Sequence, residues 1–274
     1  MSIDAHFHCW QLARGDYGWL TPALAPIYRD VAVSDWQAAS APHGITGGVL
    51  VQAAPTEAET GFLLAQAEAN PAVLGVVGWV DLLAADAPAR IRQLARHPKL
   101  KGLRPMLQDI ADPQWMLQPA LRPALQAMAD SGLVFDALVK SHHLAHLLTL
   151  AGRHPDLAIV IDHAAKPDIA AGEWQPWADS MALIASETTA QCKLSGLMTE
   201  AGPSPAAGRV QPWAAHVLAC FGAHRVLWGS DWPVLELAGS YAQWWAQTQQ
   251  ALAGLSPQEC AAILGGNARR LYRL

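Results

Sequence analysis

The stretch Asp4-Ala5-His6-Phe7-His8 reads as a buried strand that ends in two histidines. Side chains alternate along a strand, so His6 and His8 face one side and Phe7 the other. Two imidazoles held side by side either grip a metal ion or donate paired hydrogen bonds to an anionic oxygen. Which of these the pair does depends on what the other strands bring beside it.

Outward from this strand, short β-branched runs alternate with longer amphipathic segments to the end of the chain, the pattern of parallel βα units. The strand-like runs are Ile3 to His6, Gly47 to Val51, Leu74 to Val80, Leu100 to Arg104, Val134 to Val139, Ala158 to Ile161, Gln191 to Leu194 and Val226 to Trp228. Helix-like segments lie between them, among them Glu57 to Ala69, Ala89 to His97, Ala120 to Asp130 and His142 to His154, and a last one covers Pro257 to Leu271. Ser131-Gly132, His97-Pro98 and His154-Pro155 punctuate helix ends, so His97 and His154 read as helix-end residues. Eight such units across 274 residues predict one closed (β/α)8 barrel as a single domain over 1–274.

Composition narrows the function. A net charge of −5 without clustered lysine and arginine argues against nucleic acid as a partner. No apolar run approaches membrane-spanning length, and residues 1–10 lack a secretory signal, so no membrane partner and a cytoplasmic location are expected. The scattered Cys9, Cys192, Cys220 and Cys260 read as plain thiols. A small molecule is the expected partner.

Two segments break the regular alternation. The loop between Cys9 and Val33 carries Trp10, Arg14, Asp16, Tyr17 and Trp19, and reads as an ordered lid over the barrel mouth. Met106 to Gln118, with Trp115, invites the same reading.

In such a barrel the active groups come from the carboxyl ends of the strands. Those ends carry His6 and His8, Arg104, Lys140, Asp162 and His163, Ser195, and Ser230 with Asp231. Asp231 follows an apolar run where a carboxylate is costly unless paired or poised for proton transfer, and a general base for water is its natural role. His163 suits a third nitrogen ligand or a carbonyl-polarising donor. Arg104 suits holding a substrate oxygen, or pairing with a barrel carboxylate.

His6-Phe7-His8, Leu50-Val51-Gln52-Ala53-Ala54-Pro55-Thr56, Lys101-Gly102-Leu103-Arg104, Asp162-His163 with Lys166-Pro167, and Gly229-Ser230-Asp231-Trp232-Pro233 occur in that order over nearly the whole chain. Together they resemble the amidohydrolase superfamily, in its short branch of TIM-barrel lactone hydrolases. The resemblance implies a distorted (β/α)8 barrel that opens small lactones: sugar lactones such as fuconolactone and rhamnonolactone, pyrone dicarboxylates, or muconolactone derivatives. It matches His6 and His8 to the first-strand pair, His163 to the sixth-strand histidine, Asp231 to the eighth-strand base, and Lys140 to a position usually basic. Arg104 stands where two-metal relatives place a bridging lysine or glutamate, which disfavours a two-metal centre. One divalent ion, zinc foremost, would sit on His6, His8 and Asp231, although the branch includes enzymes that work without metal. His142 and His143 are expected on a helix surface, His143 being the nearer to the mouth.

The expectation is a lactone hydrolase with Asp231, His163 and Arg104 as catalytic groups. Twelve tryptophans, with Trp10, Trp79, Trp115 and Trp232 at strand ends or mouth loops, and a single strand-end arginine favour a neutral sugar lactone over a dicarboxylate. Lys140 and these four tryptophans are the expected substrate contacts. The rivals are a dicarboxylate or muconolactone-type lactonase, a zinc-dependent decarboxylase, a metal-dependent phosphoesterase, and a ligand-binding barrel without catalysis.

Overall fold

The computed structural model describes residues 2–274. Its strands are β1 (Ser2–Phe7), β2 (Ile45–Val51), β3 (Val73–Gly78), β4 (Leu100–Leu103), β5 (Val134–Ala137), β6 (Ile159–Ile161), β7 (Gln191–Leu194) and β8 (Val226–Trp228). They form one parallel sheet in sequence order. Closure comes from the last strand returning to the first: Asp231 N donates to His6 O and His8 N to Trp232 O, each at 2.8 Å. Among the described residues no helix is long and apolar enough to cross a membrane.

β1 shows how the sequence aims the site. Ile3 and Ala5 join the apolar interior with Val49, Val77, Val160 and Leu227. Strict alternation would then turn Phe7 inward and the histidines outward. The register with β2 instead shifts between Asp4 and Phe7. Asp4 Oδ1 accepts from His6 N at 3.2 Å, within this irregularity, and from Ser230 N of the β8 end at 2.8 Å. Phe7 therefore stacks outward on Trp36, ring centroids 3.9 Å apart, while His8 turns to the mouth and His6 lies against it, Nε2 to Nε2 at 3.2 Å. Two glycines make room beside them. A Cβ on Gly229 would come 2.8 Å from that of His6, and one on Gly196, whose backbone is left-handed at φ +68°, would strike the His163 ring at 2.8 Å.

Several element ends differ from the sequence expectation. Strand β3 stops at Gly78 rather than Val80, because Thr60 Oγ1 takes over the backbone N–H and carbonyl of Trp79. The helix expected over Ala89 to His97 spans Ala87–Leu94, with His97 beyond its end. The segment from Ala120 is a 3-10 turn before the helix Arg122–Asp130, and Ser141–His143 is likewise a 3-10 turn before Leu144–Arg153. The last segment is broken into Pro257–Ala261, a π turn at Ala262–Gly266 that holds the Gly265-Gly266 pair, and Asn267–Tyr272.

Candidate active site

At the carboxyl face of the barrel a cavity of about 280 Å³ is lined by His8, Arg104, His163 and Asp231, with Trp19, Lys166 and apolar side chains from the surrounding loops. His6 lies directly beneath it, its Nε2 3.2 Å from His8 Nε2 and 3.7 Å from Asp231 Oδ1.

Each imidazole is held by its second nitrogen. His8 Nδ1 donates to Val51 O at 2.7 Å, and its Nε2 lies 3.3 Å from Asp231 Oδ1. His163 Nδ1 lies 2.9 Å from Ser195 Oγ, and its Nε2 is 3.7 Å from the same carboxylate oxygen. His163 owes its direction to an uncommon backbone. Residues His163, Ala164, Ala165 and Lys166 all have left-handed φ, 52°, 50°, 61° and 48°. Each such non-glycine residue costs roughly 1–2 kcal/mol, and Trp177 Nε1, donating to Ala164 O at 2.7 Å, helps hold the turn. Strain of this kind gathers where geometry matters for function.

Burial alone would raise Asp231, but His163, the hydrogen bond from His8, and His6 outweigh it and hold the carboxyl well below the usual range. Burial lowers His163 to about 4 and pushes His6 far below its ordinary value, with Lys193 adding to the second shift. The Asp231 carboxylate thus stays ionised beside two imidazoles, His6 and His163, that resist protonation.

Arg104 is buried and fully braced. Its Nε and Nη2 donate to Gln52 Oε1 at 3.2 and 3.0 Å, Nη2 also to Gln52 O, and Nη1 to Asp162 Oδ2 at 3.2 Å. The sequence reading offered substrate contact or pairing with a barrel carboxylate; Arg104 lines the cavity and makes the pair as well.

Ligand atoms of His6, His163 and Asp231 all lie within 4.8 Å of one another. Two or three imidazoles with one carboxylate are a donor set that suits a divalent ion, and the carbonyl and hydroxyl on the far nitrogens of His8 and His163 are the partners that orient ligand imidazoles. The residues present fit such an ion, with His163 added to the His6, His8 and Asp231 set expected from sequence.

The expected substrate contacts are placed elsewhere: none of the five lines this cavity. Trp10 is fully buried and donates its Nε1–H to Arg29 O at 2.8 Å. Trp232 is buried and bonds Glu236. Trp115 packs on the core from a 3-10 turn, and Trp79 is half-buried beyond β3. Lys140 is exposed in a neighbouring groove with Ser141, His142 and Lys166. Indoles in a barrel rim are large apolar groups and pack before they present a face. The tryptophan that does line the cavity is Trp19 of the lid loop, its Nε1 fixed on Ala53 O at 2.7 Å. His143 is buried, not on a helix surface, and its Nδ1 accepts from Lys140 N at 3.0 Å.

Sequence reasoning missed Lys193 and Asp136. Both are fully buried in the middle of strands and pair at 2.5 Å across the barrel interior. A charged residue within an otherwise apolar strand was the signal available.

The amidohydrolase family model matches residues 3–274. The chain is 48% identical to an L-fucono-1,5-lactonase of Burkholderia ambifaria, covering 99% of this chain and 95% of that protein. It is 31% identical to an L-fucono-1,5-lactonase of Burkholderia multivorans, covering 100% and 96%. Among solved structures, an amidohydrolase from Burkholderia multivorans with bound zinc matches with a TM-score of 0.94 at 31% identity, covering 100% of this chain and 99% of that one.

Proposed function

The chain belongs to the amidohydrolase family, and from that membership we propose that it hydrolyses a monosaccharide lactone, L-fucono-1,5-lactone or a close aldonolactone, with Asp231 as the base for water. The observation that carries this reading is the Asp231 carboxylate, whose Oδ1 lies within 3.7 Å of a ring nitrogen of each of His6, His8 and His163 at the wall of a small cavity. At about 280 Å³ the cavity is at the lower end of ligand pockets, which run from roughly 300 to 1,000 Å³, and suits one sugar ring.

Charge favours a neutral ring over a dicarboxylate. The cavity's two cations, Arg104 and Lys166, are matched by Asp109 and Asp231 in the same wall. Arg104 is further committed to Asp162, and Lys166 to Glu200 at 3.2 Å. Neither is free to neutralise a second carboxylate on a substrate.

In the reaction, Asp231 takes a proton from water as the water oxygen bonds to the ring carbonyl carbon. Negative charge collects on the carbonyl oxygen, where the Arg104 guanidinium and an imidazole N–H offer stabilisation. The ring C–O bond then breaks, and the proton held by Asp231 passes to the departing alkoxide, leaving a hydroxy acid. A divalent ion on His6, His163 and Asp231, zinc being the first to test, would supply Lewis-acid polarisation of the carbonyl.

The test is acid release followed with a pH indicator over aldonolactones and dicarboxylate lactones, with and without chelator, against the uncatalysed rate. Turnover of L-fucono-1,5-lactone well above the dicarboxylates is expected. Acid release from no sugar lactone would overturn the reading.

A further inference from the structure

Among the described residues Trp19 is the one tryptophan left exposed, with 36% of its surface open, and it lines the catalytic cavity. The rest of the twelve are buried or half-buried. A lone apolar side chain on a protein surface is ordinary. One that is fixed at several points beside catalytic groups, while its largest surface stays uncovered, needs a physical reason.

Trp19 is held through both its backbone and its ring. Leu20 N donates to Tyr17 O at 3.0 Å, and Tyr17 and Leu20 are both buried, so the turn projects Trp19 from between two anchors. Upstream, Asp16 Oδ2 accepts from Arg14 Nη2 at 2.6 Å and from Thr56 Oγ1 at 3.1 Å, and the Arg14 guanidinium lies 4.7 Å from the centre of the Phe62 ring. The lid is thereby clamped to the start of the helix Glu57–Ala69. The indole itself meets Trp10 edge to face, ring centroids 5.6 Å apart, and donates Nε1–H to Ala53 O at 2.7 Å. That N–H is the indole's only polar group. What the ring has left to offer the cavity is carbon.

A monosaccharide lactone has two kinds of surface, a rim of hydroxyls and the C–H faces of its ring. The rim can be met by polar groups such as Gln108, Asp109 and Lys166 in the same wall. The C–H faces gain from leaving water, and their hydrogens suit the negative face of an aromatic ring. Resting on the sugar-lactone reading, we propose that Trp19 is the substrate-binding residue that covers a C–H face of the lactone ring and thereby sets affinity. Those C–H groups gain no charge as water attacks the carbonyl, so the contact is equally strong before and during the reaction. Binding of that uniform kind acts on KM and leaves kcat alone.

The test compares the full chain with Trp19→Leu and Trp19→Phe in two readouts. One is steady-state kinetics on L-fucono-1,5-lactone. The other is saturation-transfer NMR from the protein's aromatic protons to L-fucose, a cyclic sugar with no lactone carbonyl to open. Trp19→Leu is expected to raise KM about tenfold with kcat within about twofold, and to weaken the transfer to the sugar's C–H protons. Phenylalanine keeps an aromatic face but cannot bond Ala53 O, so Trp19→Phe is expected to recover most of both. An unchanged KM and equal transfer in Trp19→Leu overturn the proposal. Trp19→Phe as impaired as Trp19→Leu also overturns it, because the hydrogen bond that holds the lid would then be the whole contribution. The two readouts keep this proposal apart from the lactonase reading. Transfer to L-fucose that depends on Trp19, without turnover of any sugar lactone, sinks hydrolysis and supports the contact; turnover with a KM indifferent to Trp19 sinks the contact alone.

Discussion

Asp231 has a left-handed backbone, φ 58°, a conformation that aspartate and asparagine tolerate better than most residues. Its N–H donates to His6 O at 2.8 Å and its carbonyl accepts from Leu235 N at 2.9 Å, so the backbone fixes the side chain's direction independently of charge. Asparagine keeps this backbone and one oxygen for His8, and loses only the proton acceptor. For Asp231→Asn, kcat on the best lactone is expected to fall by about 10² or more while KM changes little. A loss of less than about threefold, measured in steady state, would remove Asp231 from proton transfer.

At the scale of elements, the loop from β2 into the helix Glu57–Ala69 is pinned by a buried carboxylate. Glu59 Oε1 and Oε2 accept from Ala53 N at 2.9 and 3.0 Å, and Oε2 from Ala54 N at 2.7 Å, while Thr56 caps the helix through Glu59 N. Ala53 lines the cavity and anchors Trp19, so Glu59 bears on the lid. Burial raises Glu59 to about 7 from 4.5, despite the hydrogen bonds from Ala53 and Ala54. The folded state thus holds this proton more tightly than the unfolded one. Its contribution to stability is complete below pH 4.5 and is lost as pH rises through about 7. Wild-type Tm is expected to fall from about pH 5 to about pH 8, and Glu59→Gln to flatten that slope by ~3 kcal/mol at most. Thermal melts of both proteins at the two pH values check it; equal slopes would show that Glu59 is not the group responsible.

The strands were legible because each is a short apolar run between breakers, and His6, His8, Arg104, Asp162, His163, Ser195 and Asp231 were legible because a parallel barrel gathers its carboxyl ends. What a side chain meets across the barrel was not. Trp10 and Trp19 stand nine residues apart in one loop, yet one is sealed inside and the other faces the cavity, a difference set by packing on Arg29 and Ala53. Lys193 and Asp136 come from different strands, and neither alone reveals the pair.

That pair also reaches the floor of the barrel. Tyr272, on the C-terminal helix Asn267–Tyr272, is fully buried and donates its hydroxyl to Asp136 Oδ2 at 2.7 Å. The helix thus closes the end opposite the active site with an apolar ring and one polar tip. Burial raises Asp136 to about 6, and Lys193 offsets part of that rise. Tyr272→Phe keeps the ring and removes one donor from a carboxylate that no water need replace, a cost of ~1–3 kcal/mol. For a chain of this size that corresponds to a Tm lower by roughly 2–4 °C per kcal/mol. Because Arg104 still braces Asp162 above, kcat and KM are expected to stay within about twofold of wild type. Melting and steady-state kinetics on the same preparation separate the outcomes. An unchanged Tm would mean that the Tyr272 hydroxyl carries no part of the closure. A large fall in kcat at unchanged stability would mean that the floor and the site are coupled through Asp136 and Lys193.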